Sequence, residues 1–499
     1  MSFPNISLTQ AQEHILKRLK SFITESNDRV FVLKGYAGTG KTTLVRFLIP
    51  YLEEKKIQYQ LLATTGRAAK VLSNYTDYEA RTIHSMIYDY KALNKDLSEV
   101  DDNTKLDNTG QIYIDFEAVQ IESENRCVYI VDEASMISDE ETKNITQAKF
   151  GTGKLLTELL EYDKNPQSKY VFIGDPCQLP PITSTISPAL TPDYIRAVFK
   201  VGTQDAELTQ IMRQSHDNDI ITTAALLRNM YVYAPEDKVG YGNNRVWGKF
   251  PFMGKKNIVL HTSPQDLVNA YLEKLTRIGN EKAIYISRSN QQCSNISKIV
   301  RQRYGYRQSV CVGDLLMVIQ NQNTTGLMNG DFVEVIKVGS KMEKTFDTSN
   351  HNYSISTSET IITIQFLEVR VRECFSKEEY STLMITNTLV NGENLNSVQQ
   401  SGLFLDFAIR MNKKGITQKK TPKLFEDGLS KDPFLNALRC SYGYAVTCHK
   451  AQGGEWDEVF VDIPRNYTLN PTKSTYQWMY TALTRAKQHF HCVQEFYIK

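Results

Sequence analysis

The sequence predicts an α/β protein of two parallel-sheet units, with a β-hairpin inserted in the first and a β-rich module inserted in the second. Three observations carry that expectation. Short apolar runs at residues 30–34, 58–63, 127–131 and 170–173 each give way to a turn and then to helix or loop, the alternation of a parallel sheet with crossover connections. A second alternating block opens at residues 283–287, passes through a helical pattern at 291–304, and resumes at 442–450 and 459–462. The chain has 499 residues, more than one ordinary domain holds, so several compact units are expected.

The elements follow in chain order. Residues 1–86 and 120–230 form the first unit, and residues 231–338 and 437–499 the second. Between Ile87 and Val119 the strand–helix alternation stops: a polar, acidic stretch at 98–107 leads into 111–119, which alternates as a hairpin strand does. Residues 87–119 are therefore the inserted hairpin. The second insertion, 339–436, holds β-rich runs at 360–366 and 367–372, polar loops, and a segment at 410–423 with six basic residues and no acidic one. A small barrel with a mobile basic arm fits that pattern. No solenoid repeat or long low-complexity tract interrupts the chain.

Composition narrows the function classes. The hydrophobic share of 41% and charged share of 23% are those of a soluble globular protein. No apolar run approaches the ~20 residues of a membrane span. The N-terminal segment MSFPNISLTQAQEHILKRLK lacks a basic start followed by an apolar stretch, so neither a secretion signal nor a membrane partner is expected. The eight cysteines (Cys127, Cys177, Cys293, Cys311, Cys374, Cys440, Cys448, Cys492) form no C-x-x-C pair and read as reduced, mostly buried thiols. A net charge of +2 means that a polyanion would bind in a local groove and not in a globally positive field.

Chemistry enters at Gly35-Tyr-Ala-Gly38-Thr39-Gly40-Lys41-Thr42, which matches G-x-x-x-x-G-K-[ST] between a strand and a helix. The glycines let backbone N–H groups close around a nucleotide's phosphates, Lys41 reaches the β- and γ-oxygens, and Thr42 holds Mg²⁺. Thr43 continues the phosphate loop into the helix. About ninety residues on, the strand Val128-Tyr-Ile-Val ends in Asp132-Glu133. Asp132 is expected at the magnesium ion and Glu133 at the attacking water. Up to this point a signalling or transport ATPase fits equally well.

Further strings discriminate. Gly174-Asp175-Pro176-Cys177-Gln178-Leu179-Pro180-Pro181 follows another apolar strand and resembles motif III of superfamily 1 helicases, in which the glutamine senses the γ-phosphate. The other motifs of that superfamily appear in order, and together they resemble the RecD/Dda-type helicases of superfamily 1B. Leu8-Thr9-Gln10-Ala11-Gln12 resembles the Q motif, which implies that Gln12 reads adenine. Residues 63–69 (ATTGRAA) resemble motif Ia and Thr82-Ile83-His84-Ser85 motif Ib, so Thr64, Thr65, Arg67 and His84 are the implied DNA contacts. Leu208-Thr209-Gln210-Ile211-Met212-Arg213-Gln214 and the motif VI string from Tyr480 to Lys487 imply that Arg213 and Arg485 approach the γ-phosphate, the second from across the cleft. Residues 447–456 (TCHKAQGGEW) resemble motif V, with Thr447 and His449 on the DNA backbone and Gly453 and Glu455 toward the nucleotide. Trp456 is either a base-stacking platform or a core residue.

The resemblance implies two RecA-like domains with ATP and Mg²⁺ between them and single-stranded DNA across their top. It implies ATP-driven translocation, 5′ to 3′, with unwinding of duplex DNA. The hairpin lies where the family carries a pin that splits the duplex, with Tyr113 and Phe116 as candidates to stack on the terminal base pair. The insertion at 339–436 corresponds to the family's SH3-like barrel, whose basic arm reaches the pin or clamps the displaced strand. The chain begins almost at the Q motif, so the N-terminal domains of longer relatives are expected to be absent. Expected partners are single-stranded DNA, single-strand/duplex junctions and a single-strand-binding or replication protein. A monomer is expected in the cytoplasm, at the nucleoid or in a phage-infected cell, in DNA replication or repair. A translocase that strips proteins without separating strands, and an RNA helicase, are the competing readings.

Overall fold

The computed structural model describes residues 7–499 except 105, 107–110, 143–144, 146, 183, 211–217, 235–248, 348–360, 390–391, 464, 466–470 and 496. In the first half the strands are β1 (Val30–Gly35), β2 (Gln58–Ala63), β3 (Ala80–Thr82), β4 (Tyr88–Leu93) and β5 (Ile114–Ala118). They continue with β6 (Cys127–Asp132), β7 (Ala148–Phe150), β8 (Lys169–Gly174) and β9 (Thr203–Leu208). The second half adds β10 (Ile258–His261), β11 (Ala283–Ser287), β12 (Leu315–Val318), β13 (Phe332–Asp347) and β14 (Ile361–Glu373). It ends with β15 (Glu379–Ile385), β16 (Leu438–Tyr442), β17 (Ala445–Thr447), β18 (Trp456–Val461) and β19 (Ala486–Val493).

Six strands make the first sheet, in the order β3-β2-β6-β8-β1-β9, and every pairing is parallel. Alternate residues of β1 explain why both faces need cover. Val30 and Val32 pack with Tyr129, Val131, Tyr170 and Phe172 on one side, while Phe31 and Leu33 pack on the other with the helices Gln10–Thr24 and Lys41–Glu54. The second sheet, β10-β19-β18-β11-β17, is also parallel and repeats the logic. Ile284 and Ile286 of β11 enter one core, Ala283 and Tyr285 the other.

Between β11 and β17 in the chain, β12 to β16 close a five-stranded barrel. Leu316, Val318, Val333, Val335, Val369, Val371, Leu438 and Cys440 fill its interior. The barrel starts at Leu315 and closes at Tyr442, so it takes strands from both sides of the expected 339–436 insertion. Periodicity alone cannot assign β12 and β16, because a short strand has the same apolar pattern whether it joins a sheet or a barrel. A second border also moves. The helix Asp219–Tyr233, expected in the first unit, places Ile220, Ala224 and Leu227 in the core of the second.

The inserted hairpin is a three-stranded sheet, β4-β5-β7, in which the third strand comes from residues after β6. Its connection is docked. Leu97, Leu106 and Ile112 are buried with Ile364, Phe366, Phe404, Phe407 and Met411 of β14 and the helix Ser397–Lys413. The basic segment 410–423, expected as a mobile arm, is the end of that helix, a short link, and the start of the helix Pro422–Lys431. All eight cysteines are free thiols. No helix of the described residues is long and apolar enough to cross a membrane.

Candidate functional site

The phosphate loop leaves β1 at Gly35 and enters the helix Lys41–Glu54 through Gly38 and Gly40, whose φ of 77° and 78° glycine adopts without strain. A Cβ at Gly35 would stand 2.7 Å from Lys41 Cγ, so the glycine is what admits the lysine stem. Lys41 Nζ donates to the carbonyls of Gly35 at 2.7 Å and Tyr36 at 3.2 Å. The buried Thr39 hydroxyl donates to Tyr36 O at 2.8 Å, and Thr43 shares a hydrogen bond with Tyr75 OH at 2.8 Å.

Asp132 ends β6, two strands from β1, and Thr42 Oγ1 donates to its Oδ2 at 3.4 Å. The other oxygen accepts from Glu133 N at 2.9 Å. Burial, and then the Glu133 charge beside it, raises the Asp132 carboxyl above its ordinary value, while Lys41 and Thr42 pull it down. Glu133 has φ 52°, a left-handed conformation uncommon outside glycine and found where surrounding structure holds a reacting group in place. The hydroxyl of Thr42 and the carboxylate of Asp132 form the oxygen donor set that a hard cation such as Mg²⁺ takes. With the glycine cradle beside them, these residues fit a magnesium nucleotide.

β8 lies between β6 and β1 and delivers Asp175 and Gln178 to the same edge. Both are buried, and Gln178 Oε1 has no hydrogen-bond partner among the described residues, an acceptor left for water or ligand. Gln12 is placed differently from the expected adenine reader. Its Nε2 donates to Thr39 O at 3.1 Å, its Oε1 accepts from Thr9 N at 3.1 Å in a capping box, and only 2% of it is exposed. In this structure it braces the phosphate loop. Arg213 lies outside the described residues. Arg485 is buried and donates to Thr481 O, Gly454 O and Thr484 Oγ1 at 3.1–3.3 Å, so its guanidinium is held within its own unit.

Several expected DNA contacts are also packed against protein. The Arg67 guanidinium sits 5.0 Å from the Phe332 ring centre and 5.1 Å from that of Trp456. Burial is the main cause of its lowered pKa, opposed by Asp331 and Glu373. Trp456 is a core residue of the second unit. His84 lies 5.2 Å from Phe150 and 5.4 Å from Tyr88, centre to centre, and burial disfavours its charged form. Phe116 stacks on Phe150 at 4.8 Å, which removes it from any hairpin tip. Tyr113 is half-buried, with its backbone bonded to Asn94. Thr65 caps the helix Gly66–Thr76, and Thr64 Oγ1 lies 3.8 Å from Met136 Sδ. For Arg67, His84 and Phe116 the cause is shared: the motif strings fix sequence neighbours, whereas Phe332 and Phe150 arrive from distant elements.

Thr447 closes β17 and lines a small cavity with Lys450, Asn290, Ser294 and Ser441. Burial lowers the pKa of Lys450 and of the half-buried His449. Gly453 has φ 73°, and a Cβ there would stand 3.7 Å from Ala68 Cβ, while Glu455 is exposed. The acidic stretch and the basic segment meet: Lys413 pairs with Asp102 at 2.7 Å and Lys419 with Asp96 at 2.6 Å. Asn412 Nδ2 donates to the carbonyls of Leu97 and Val100.

Sequence reasoning passed over two residues at the nucleotide edge. Tyr480 OH accepts from Ala37 N at 3.0 Å and donates to Asp175 Oδ2 at 2.7 Å. Arg228 lies 4.2 Å over the Tyr36 ring, whose hydroxyl donates to Glu207. The available signal for Tyr480 was a polar group in a helix, Lys473–Leu483, that is buried along most of its length. Arg228 had none.

Two family models match the chain: an AAA domain over residues 7–232 and a UvrD-like helicase C-terminal domain over residues 442–493. An uncharacterised protein of Acanthamoeba polyphaga mimivirus is 22% identical over 96% of this chain and 98% of its own length. One from Methanocaldococcus jannaschii is 23% identical over 94% of this chain and 37% of its own length. The ATP-dependent RecD2 DNA helicase of Deinococcus radiodurans is 26% identical over 44% of this chain, which spans 23% of that enzyme. Among solved structures, a Pif1 helicase described for unwinding forked duplex DNA aligns over 98% of this chain and 92% of its own, at 16% identity and a TM-score of 0.47.

Proposed function

We propose that the chain is a superfamily 1B helicase of the RecD type, a reading supported by its AAA and UvrD-like helicase C-terminal matches and its likeness to a RecD2 helicase, and that it is an ATP-driven motor that moves 5′ to 3′ along single-stranded DNA and unwinds duplex. One observation carries the reading. The phosphate loop, Asp132 with Glu133, and Gln178 stand at the carboxyl ends of β1, β6 and β8, facing a helix of the second α/β unit whose Tyr480 touches two of those loops. A site shared by two units changes when they move, so hydrolysis there biases their arrangement.

The residues divide the work. Lys41 neutralises phosphate charge from within the loop, Glu133 orients the attacking water, and Gln178 offers its free acceptor to that water or to the γ-phosphate side. Magnesium held by Thr42 and Asp132 would supply charge neutralisation at the phosphate oxygens. Arg485 completes the charge set by leaving the Thr481 and Gly454 carbonyls as the cleft closes, and Arg213 is its second arginine. Gln12 fixes the loop through Thr39 and reads adenine only on exchanging that bond. Thr447, His449 and the cavity beside Lys450 take the strand in the second unit, and Thr64 with Thr65 in the first. The barrel is the SH3-like domain of the family, and the β4-β5-β7 sheet with its docked connection is the pin. The protein acts as a monomer on single strands and junctions, alongside a single-strand-binding or replication protein.

The test is ATP hydrolysis with and without single-stranded DNA, for the parent and Lys41→Ala. Strong stimulation that the variant loses, by about 10²–10³-fold in kcat, is the expected result. Hydrolysis indifferent to DNA would defeat the reading. The stacking of Phe116 on Phe150 favours a second reading, a translocase that strips bound proteins without parting strands. Strand displacement on bare forks with 5′ or 3′ tails separates the two and reads polarity.

A further inference from the structure

The helix Lys473–Leu483 presents Gln477, Tyr480 and Thr481 on one side, because residues three and four apart share a helix face. All three are buried, where a polar side chain is costly unless partnered. Their partners lie in the first unit. Gln477 Nε2 donates to Gln178 O at 3.2 Å, and Thr481 Oγ1 accepts from Leu179 N at 3.1 Å. Gln452 Nε2 adds a bond to Leu179 O at 3.1 Å. The backbone that carries Gln178 is thus gripped by the opposite unit.

Tyr480 reaches further. A phenol has one proton, and here it goes to Asp175 Oδ2 at 2.7 Å while the oxygen accepts the Ala37 N–H of the phosphate loop at 3.0 Å. Asp175 Oδ1 accepts from Cys177 N at 2.9 Å, so the same carboxylate fixes the turn that leads to Gln178. Tyr36 and Ala37 themselves pack against the core of the second unit. One hydroxyl therefore ties together the phosphate loop, the Gln178 turn and the opposite unit.

We propose that Tyr480 is a positioning residue that couples the phosphate loop to the second α/β unit, with Gln477 and Thr481 setting the Gln178 backbone in the same motion. Phosphate drawn into the loop alters the seat of the hydroxyl on Ala37, and the change passes to Gln178 and to the unit that holds DNA. By reciprocity, nucleotide state and DNA affinity are linked through this contact. The inference rests on the DNA-motor reading.

The experiment measures the affinity of the full chain for a single-stranded oligonucleotide without nucleotide, with ADP, and with ADP–aluminium fluoride. In the parent these affinities differ by about 5–150-fold, the usual range of such coupling. Tyr480→Phe keeps the ring and loses both bonds. Its affinity ratio should fall about fivefold or more toward one, while nucleotide-free affinity stays within about twofold and kcat falls about tenfold with little change in KM for ATP. A purely structural role would instead lower the melting temperature and leave the ratio alone. Thr481→Val, which loses the single bond to Leu179, should show a smaller fall in the ratio and carries the test if Tyr480→Phe folds poorly. Ratios unchanged from the parent in both variants overturn the inference. A parent that binds no single-stranded DNA defeats the motor reading itself, and one that binds it equally in every nucleotide state defeats the coupling.

Discussion

In the first α/β unit the phosphate-loop lysine and threonine and the glutamate after β6 stand at strand ends, partly open, whereas in the second Arg485, Glu458 and His491 lie inside the fold with protein partners. Lys41, Thr42 and Glu133 are half-buried at the carboxyl edge of the first sheet. Arg485, Glu458 and His491 of the second unit are 5%, 4% and 4% exposed, and each is hydrogen-bonded. The contrast teaches that groups at the open edge act directly on the nucleotide, whereas these buried groups of the second unit first hold the fold in place. Substitutions should then separate into losses of rate with little loss of stability, and losses of stability that carry rate with them.

The largest effect belongs to the open edge. Glu133→Gln should lower kcat by about 10²–10³-fold, with nucleotide affinity retained and the melting temperature unmoved, since removing one such transition-state interaction typically costs that much. Steady-state ATPase assays and thermal melts check it. A variant that hydrolyses ATP normally would remove the water-positioning role from Glu133.

Next is the buried cluster of the second unit. Glu458 accepts from His491 at 2.6 Å and Lys274 at 2.6 Å, with His489 at 3.1 Å, and His491 in turn faces His261 at 3.0 Å. Glu458→Leu leaves Lys274 without its carboxylate and the two histidines without their acceptor, and should destabilise the fold by about 3 kcal/mol, read in denaturant melts. Loss of ATPase activity without loss of stability would contradict the contrast. The cluster also fixes a pH dependence. Burial pushes Glu458 up, but His491 and Lys274 outweigh it and hold the carboxyl at about 2. Its contribution is full above the unfolded value of about 4.3 and is lost as pH falls toward about 2. Burial pushes His491 and His261 down, so below about 6.5 the unfolded chain binds the proton first and stability falls. Melting temperature should decline from pH 7 to pH 5 and more steeply below about pH 4.5. A flat profile would show that these groups titrate alike in both states.

The same contrast explains what was legible in the sequence. Gly35 to Thr42, Asp132 and Gln178 are short strings after apolar strands, so both sheets and the gathering of these residues at one sheet edge could be read in advance. Arg67 could not. Its string resembles a DNA motif, but the guanidinium is walled by Phe332 and Trp456, from elements more than two hundred residues away. The barrel was legible as a β-rich insertion and not in its limits, because β12 and β16 carry no pattern that says which strand they will join. Arg67→Ala sharpens the point. Without the cation–π interaction and the packing of the arginine stem, the fold should be less stable by about 1–2 kcal/mol, and the salt dependence of DNA binding should stay unchanged. A shallower salt slope at full stability would return Arg67 to the strand.

The smallest effect lies in the basic segment, where the comparison can be made within a few residues. Lys413 and Lys419 are paired with Asp102 and Asp96, whereas Lys414 and Lys420 are exposed and have no ion-pair partner among the described residues. A lysine already facing a carboxylate has little charge left for a phosphate, and exposed pairs of this kind contribute little to stability. Replacing Lys413 and Lys419 by alanine should therefore leave both the melting temperature and the salt slope of single-strand binding nearly unchanged. Replacing Lys414 and Lys420 should flatten the slope by about 0.7 for each phosphate that the variant no longer neutralises. Equal slopes in the two double variants would mean that the acidic stretch does not select among these lysines. Weaker low-salt binding by the first variant that recovers as salt rises would mean that Asp96 and Asp102 repel the strand once their lysines are gone, which would make the docked hairpin connection part of the DNA path.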